Sequence, residues 1–122
     1  MIRAVPMVAL ALLAAACSGG VDGAVEEMCD APLNTWQGAQ QRYLDDVADA
    51  SAADLDTPSP ALVRAGERLG NALLEAGREA AAVGCEAELA VGSTQRCERI
   101  ERLEAGGEGA ASVLEGLKLG CR

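Results

Sequence analysis

Several side chains on which common enzymes depend are absent from this chain or nearly so. It has no histidine, and Lys118 is its only lysine. Without imidazole there is no Ser-His or Cys-His nucleophile pair and no histidine ligand for a metal ion. No serine stands three residues before Lys118, so the S-x-x-K arrangement is missing as well. The sequence predicts no catalytic residue and no cofactor, and we expect a protein that is not an enzyme.

Large apolar side chains are also scarce. Phenylalanine is absent, and Trp36 and Tyr43 are the only aromatic residues, whereas alanine is abundant. Small side chains bury little area each, so burial at about 25 cal/mol per Å² stabilises such a core less than one rich in Leu and Phe. A thin core in a small domain predicts that covalent crosslinks supply part of the stability.

The chain has a single long apolar run, and it lies at the start. Arg3 precedes the run, which extends over residues 5–16 and is broken only by Pro6. Cys17 and the polar Ser18 follow directly. This order is typical of a secretory signal peptide. The run is too short for a membrane-spanning helix, which needs about 20 apolar residues.

The end of this run, Ala14-Ala15-Ala16-Cys17, resembles the lipobox of bacterial lipoproteins. There a signal peptidase cuts before the cysteine, and lipid such as palmitate is attached at its sulfur. The resemblance implies that residues 1–16 are removed and that Cys17 anchors an exported protein to the cell membrane or outer membrane. Ser18 after the cysteine resembles the default for outer-membrane sorting. The alternative is an ordinary cleaved signal peptide with Cys17 incidental.

The mature chain is predicted to be one small acidic domain on a short tether. Cleavage leaves 106 of the 122 residues and removes one arginine and no acid, so the net charge changes from −9 to −10. Residues 17–28 form the lipidated cysteine and tether, with a reach of at most about 40 Å, and residues 29–122 form the domain. Because an acidic domain repels phosphate, we expect no nucleic-acid partner. We expect acyl chains to make the membrane contact while charge holds the folded part off the surface.

Four cysteines remain in the mature domain: Cys29, Cys85, Cys97 and Cys121. An even number of cysteines in a small exported domain predicts two disulfides. The alternative is a structural zinc site, but there is no C-x-x-C pair and no histidine. We therefore expect disulfides and no metal site.

The first half of the domain is predicted to form a helical hairpin. Asp30 is a candidate cap for a helix over residues 31–53 that carries Pro32 in its first turn. Residues 54–60 are predicted to form the turn. The inner face of this helix is predicted to contain Leu33, Trp36, Gln40, Tyr43, Val47 and Ala50.

The second helix is predicted to begin with Ser59 as cap and Pro60 at its first position, and to end at Gly84 with Cys85 at the exit. Its inner face is predicted to contain Leu62, Gly66, Leu69, Leu73, Ala76, Ala80 and Val83.

The second half is predicted to contain two further helices. After a short piece over residues 86–91, Gly92-Ser93 marks a boundary, and a helix begins near Thr94. Residues 106–109 carry three glycines that interrupt it, each costing about 1 kcal/mol in a helix interior. The last helix covers residues 110–119. The residues expected to face inward are Cys97, Ile100, Leu103, Val113, Leu114, Leu117 and Cys121. No stretch alternates with a period of two, so the sequence predicts an all-α, small up-down bundle of three to four helices with two disulfides.

The hairpin geometry narrows the disulfide pairing. Cys29 and Cys85 lie at the same end of an up-down hairpin. In one straight helix Cys97 and Cys121 would be about 36 Å apart, whereas a fold-back at residues 106–109 returns Cys121 to the other cysteines. Cys29–Cys85 with Cys97–Cys121 is the first choice. Cys29–Cys121 with Cys85–Cys97 remains open, because sequence alone does not choose between connectivities.

Two groups of acids are the candidates for carboxylate chemistry: Asp45, Asp46 and Asp49, and Glu98, Glu101 and Glu104. Arg96, Arg99 and Arg102 interleave with the second group, and Glu98 and Arg102 have the i,i+4 spacing of a solvated ion pair. Hydrated outer faces explain both groups more simply than a catalytic pair of acids.

A calcium loop is the second possibility for the acids. Asp54-Leu55-Asp56 begins like an EF-hand loop, but Pro58 stands where the third ligand belongs. We therefore expect at most loose cation binding there.

Two spaced pairs are explained more simply by packing than by binding. Trp36 and Tyr43 lie seven residues apart on one helix face and could stack on a ligand, but core packing is the commoner role. Gly66 and Gly70 form a small-x-x-x-small step among charged residues, which predicts close packing between soluble helices.

The expected function is that of a membrane-anchored envelope lipoprotein acting as a non-catalytic binding or structural module. It would contact the membrane through its lipid and could also contact an envelope protein. The first alternative is a small-ligand or cation-binding lipoprotein. The second is a carboxylate-based hydrolase, which would need an acid such as Asp45 to be buried in a cleft.

Overall fold

The structure is a computed structural model that describes residues 21–122, with side chains from Glu27 onward. The predicted signal peptide and Cys17 lie outside the described residues. The described part is all-α, as predicted. Its helices are α1 (Val21–Val47), α2 (Ala52–Asp56), α3 (Pro60–Val83), α4 (Glu86–Leu89), α5 (Thr94–Glu101) and α6 (Glu108–Leu119).

Helix α1 begins earlier and ends earlier than the sequence indicated. It begins at Val21, not at residue 31, so Asp30 and Pro32 lie inside the helix and Asp30 does not cap it. The ring of Pro32 is almost completely buried, and this burial offsets the backbone hydrogen bond that proline cannot donate. Residues 21–28, which were predicted to be tether, are helical. Only residues 18–20 therefore separate Cys17 from α1.

The predicted turn between the first two long helices contains a helical turn of its own, α2. Ser51 caps it: the Ser51 hydroxyl accepts from the Asp54 amide at 3.2 Å, and the Asp54 carboxylate accepts from the Ser51 amide at 3.0 Å. Helix α1 ends at Val47, before the predicted residue 53, and this reciprocal capping box starts the new helix. The predicted start of α3 is confirmed, with Ser59 as cap and Pro60 in the first turn.

The boundaries in the second half follow the predictions closely. Helix α3 ends at Val83 with Gly84 as its C-cap, and the Gly84 φ of +74° lies in the left-handed region that favours glycine. Ser93 caps α5, and its hydroxyl accepts from the Arg96 amide at 3.1 Å. After α5 the chain reverses through residues 102–107 and enters α6. The predicted fold-back is confirmed, but it lies at residues 102–107 instead of 106–109, and Gly109 is inside α6.

The core lies where α1 crosses α3, α5 and α6. Its main cluster contains Trp36, Leu44, Ala76, Ile100, Leu103, Ala110 and Leu114. Three residues predicted to face inward do not: Gly66, Val83 and Cys121 are exposed. On α3 Ala65 is buried instead of Gly66, whereas Ala76 and Ala80 are buried as predicted. A Cβ atom at Gly66 or Gly70 would meet nothing within 4 Å, so the close packing predicted for this pair is wrong within the chain.

The disulfides confirm the first-choice pairing. Cys29 bonds to Cys85 and Cys97 bonds to Cys121, with Cα–Cα distances of 5.6 and 5.7 Å. Both bonds lie at the end of the bundle where α1 begins, α3 ends and α6 ends. We call this the disulfide end: residues 21–29, 83–97 and 117–122.

The opposite end is closed by close backbone contact. The Gly109 amide donates to the Ala48 carbonyl at 3.2 Å. A Cβ atom at Gly107 would lie 2.1 Å from the Ala48 carbonyl oxygen, and one at Gly109 would lie 2.2 Å from that of Val47. Only glycine fits at either position. We call this the glycine end: residues 47–60 and 102–109.

Candidate functional site

A groove between α1 and α3 has a mixed apolar and polar lining. Its volume is about 350 Å³, which is within the size range of small-ligand sites, about 300–1,000 Å³. The groove exists because the two helices face each other with small side chains. Gly38 and Ala39 of α1 and Ala65 and Ala72 of α3 form its floor. A Cβ atom at Gly38 would meet nothing within 4 Å, so the space above this glycine belongs to the groove.

Polar side chains form the walls of the groove. Arg68 of α3 pairs with Asp46 of α1 at 3.2 Å, and the Thr35 hydroxyl donates to the Glu79 carboxylate at 3.0 Å. Among the described residues Arg42 forms no salt bridge. Its guanidinium is exposed and remains available to an anionic or carbonyl group of a ligand.

The two predicted stacking residues have different surroundings. Tyr43 is half-buried and lines the groove, so its ring can contact a ligand. Trp36 is only 3% exposed and belongs to the main core cluster, which confirms the packing interpretation for this residue. The guanidinium of Arg96 lies over the Trp36 ring, 4.8 Å from its centroid.

Arg96 is a structural residue that the sequence did not single out. Besides contacting Trp36, it donates to the Leu89 carbonyl at 2.9 Å and so ties α5 to the end of α4. Partial burial lowers the pKa of the Arg96 guanidinium. An arginine remains protonated despite such a shift, so Arg96 provides a cation for the ring and no proton for chemistry.

A second depression lies between α1 and α5, with a volume of about 450 Å³. Arg99 spans part of it: it pairs with Asp30 at 3.1 Å and also contacts Asn34 and Gln37 of α1. The predicted ion pair between Glu98 and Arg102 is not formed among the described residues. The i,i+4 spacing permits that pair, but both side chains are exposed and such contacts contribute little.

The acids proposed for carboxylate or calcium chemistry are all exposed: Asp45, Asp46, Asp49, Asp54, Asp56, Glu98, Glu101 and Glu104. Asp46 and Glu98 line the two depressions without being buried in them. Asp54 is committed to capping α2, and hydrogen bonds from Ser51 lower the pKa of its carboxyl. The cap uses the carboxylate that a calcium loop would have needed as its first ligand.

Cys29, Cys85 and Glu88 form the one group of three metal-ligand types that come together in the described residues. Their ligand atoms lie within 4.8 Å of one another. Both sulfurs are joined in the disulfide, so neither is a thiolate that could bind a metal. One carboxylate oxygen of Glu88, Oε2, is buried and has no hydrogen-bond partner among the described residues.

No protein-family model, curated protein or solved structure matches this chain. None of the described helices is both long and apolar enough to cross a membrane.

Proposed function

We propose that this protein is an exported, lipid-anchored envelope lipoprotein whose domain is a non-catalytic binding or structural module. The observation that carries the proposal is the N-terminal sequence, in which Arg3 and an apolar run lead to Ala14-Ala15-Ala16-Cys17. Cleavage before Cys17 would remove residues 1–16, and lipid on Cys17 would hold the mature chain at the cell membrane or outer membrane. Several acyl chains give a lasting anchor, since each buried CH₂ contributes about 0.8 kcal/mol.

Two features of the domain agree with this proposal. Disulfides such as Cys29–Cys85 and Cys97–Cys121 persist in oxidising compartments outside the cytoplasm. The candidate acids lie on hydrated surfaces, where no desolvation prepares them for acid-base work. The partners we propose are therefore the membrane, reached through the lipid, and an envelope protein. Nucleic acid is not among them, because the chain carries a net charge of −9.

Fatty-acid labelling tests the anchor. Cells grown with an alkyne fatty acid should label the wild-type protein and leave Cys17→Ser unlabelled. The matched control is Cys97→Ser with Cys121→Ser, which removes cysteines without touching the lipobox and should retain the label. Equal labelling of the wild type and Cys17→Ser would contradict the lipoprotein proposal.

A second candidate function is the capture of a small ligand or cation, and the α1–α3 groove favours the small ligand. A polar ligand of modest size would contact Arg42 and Tyr43 above the small side chains of the floor. A thermal-shift screen with sugars, amino acids, short peptides and Ca²⁺ tests this function. A ligand that binds in the groove should no longer raise the melting temperature of Gly38→Leu, because the leucine side chain fills the floor of the groove. The ligand should still raise the melting temperature of Gly77→Leu, which adds the same side chain to open space on α3.

A further inference from the structure

Large exposed apolar side chains concentrate at the disulfide end. Met28, Val83, Val91 and Leu119 are 48%, 39%, 71% and 61% exposed. Scattered apolar residues are ordinary on a protein surface, but a group at one place marks an interaction surface.

These four residues belong to the segments that the disulfide and a close backbone contact hold at this end. Met28 adjoins Cys29 and Val83 lies two residues before Cys85, and the two cysteines are only 5.6 Å apart at their Cα atoms. Helix α4 leads from Cys85 to the second pair. There a Cβ atom at Gly120 would lie 3.1 Å from Cγ1 of Val91, and Leu119 is the residue before Gly120. We call these four residues the apolar end patch.

The chain outside the described residues enters the domain at this same end. Helix α1 begins at Val21, four residues after Cys17, and four residues span at most about 14 Å. From Val21 to Cys29 the helix rises about 12 Å. The apolar end patch therefore lies within about 26 Å of a lipid on Cys17 along the chain, at the end of the domain that the lipid-bearing segment enters.

We propose that the apolar end patch is the membrane-contacting surface of the domain and that its side chains enter the headgroup region beside the acyl chains. This inference rests on the proposed anchor at Cys17, but it adds a contact made by the folded domain itself. It replaces the expectation that charge holds the domain off the surface. Amphipathic surfaces of this kind insert about 5–10 Å into the boundary between headgroups and acyl chains.

Charge around the patch selects the type of lipid. Glu27 and Glu86 are exposed at this end. Of the three basic residues at this end, Arg96 lies over the Trp36 ring and Arg122 is paired with Glu115 at 2.5 Å, which leaves Lys118. The border of the patch is therefore acidic and favours zwitterionic headgroups over anionic ones.

Quenching by brominated lipids tests the contact. The oxidised mature chain, residues 17–122, is coupled through the Cys17 thiol to a maleimide lipid in phosphatidylcholine vesicles with brominated acyl chains. Two tryptophan variants are compared, Leu119→Trp in the patch and Leu74→Trp on α3. The two leucines are a matched pair at 61% and 62% exposure, and the native Trp36 is buried in both variants.

The new tryptophan of Leu119→Trp should lose about half of its fluorescence on the brominated vesicles, because insertion brings it into contact with the brominated chains. Leu74→Trp should change little. Quenching of Leu119→Trp that is no greater than that of Leu74→Trp would overturn the proposal, and this is also the result expected if the patch docks a protein. Adding anionic lipid should weaken the quenching, and stronger quenching would contradict the charge argument.

The two proposals fail separately. The vesicle anchor is attached chemically, so absence of quenching would remove the membrane contact and leave biological acylation at Cys17 standing. Absence of fatty-acid labelling in cells would remove the biological anchor, whatever the vesicles show.

Discussion

The two ends of this helical bundle are closed by different means. At the disulfide end the covalent bonds Cys29–Cys85 and Cys97–Cys121 join elements that are distant in sequence. At the glycine end the start of α6 lies directly on the backbone of α1. There Gln41 also exchanges two hydrogen bonds of 2.9 Å with the backbone of Glu104.

This difference determines which end tolerates exposed apolar residues. A disulfide holds two segments together whether or not side chains pack tightly around it, so Val91 and Leu119 can face outward at no cost to closure. Closure of the glycine end depends on how closely the backbone at the start of α6 approaches the backbone of α1. A single added methyl group at Gly109 would separate the two backbones.

The disulfide end also contains a difference of its own. Cys29 and Cys85 are each 1% exposed and pack with Leu33 and Ala80. Cys121 is exposed. The first bond is part of the core, whereas the second crosslinks the surface.

The largest expected effect is the loss of the buried disulfide. Cys29→Ala with Cys85→Ala should lower the free energy of unfolding by about 2–5 kcal/mol, measured by urea denaturation. Cys97→Ala with Cys121→Ala is the control. It should cost less, because its bond spans 24 residues instead of 56 and lies at the surface. If Cys97→Ala with Cys121→Ala lowered the free energy of unfolding more than Cys29→Ala with Cys85→Ala, the proposed ranking of the two disulfides would be contradicted.

The next largest effect is expected from a substitution that disrupts the glycine end. Gly109→Ala should lower the free energy of unfolding by about 1–3 kcal/mol, because the new methyl group must displace the backbone of α1. Gly106→Ala is the matched control, since a Cβ atom there meets nothing within 4 Å. It should be neutral by the same urea measurement. Equal effects of the two substitutions would show that the turn does not depend on close approach.

A smaller effect of opposite sign is expected on α3. At Gly77 a Cβ atom would meet nothing within 4 Å. Gly77→Ala should therefore raise the free energy of unfolding by about 1 kcal/mol, as helix propensity predicts. Thermal unfolding followed by circular dichroism measures the change. A loss of stability in the isolated domain would indicate a packing role for Gly77 that its open surroundings do not provide.

The smallest effect concerns the pH dependence of the cap at the glycine end. Hydrogen bonds from Ser51 hold the pKa of Asp54 below its usual value of 3.8. A lowered pKa stabilises the folded state above the unfolded-state value, and this contribution disappears as pH falls through the folded-state value. In Asp54→Asn the free energy of unfolding should therefore fall slightly less steeply as the pH drops below about 4, and its pH dependence near neutral pH should be unchanged. The same decrease in the free energy of unfolding at low pH in the wild type and in Asp54→Asn would contradict this role of Asp54.

Local signals predicted much of the fold. Ser59, Pro60 and Gly84 mark the ends of α3 because caps act through their immediate neighbours. The three glycines at 106–109 predicted the return of Cys121 and hence the favoured disulfide pairing. The same local reasoning failed at Asp30 and Pro32. These two residues have the pattern of a helix start, but tertiary burial of the proline keeps it inside α1.

The candidate site was less predictable, because it depends on how helices face each other. The sequence contains Gly38 and Arg42, but the groove arises only from the approach of α3 to α1. Similarly, the sequence does not distinguish Arg96 and Arg99, which contact α1 residues, from Arg102, which remains exposed. The rotation of each helix decides these contacts, and periodicity defines that rotation only to within about one residue.

The central claim, that the disulfide end faces a membrane and the glycine end faces away from it, can be tested directly in cells. A benzophenone amino acid is placed at Leu119 in one strain and at the exposed Asp56 in another. The protein is irradiated in intact cells and then analysed by mass spectrometry for lipid adducts. We predict lipid adducts at position 119 and none above background at position 56. Equal lipid labelling of both positions, or labelling confined to position 56, would contradict the account.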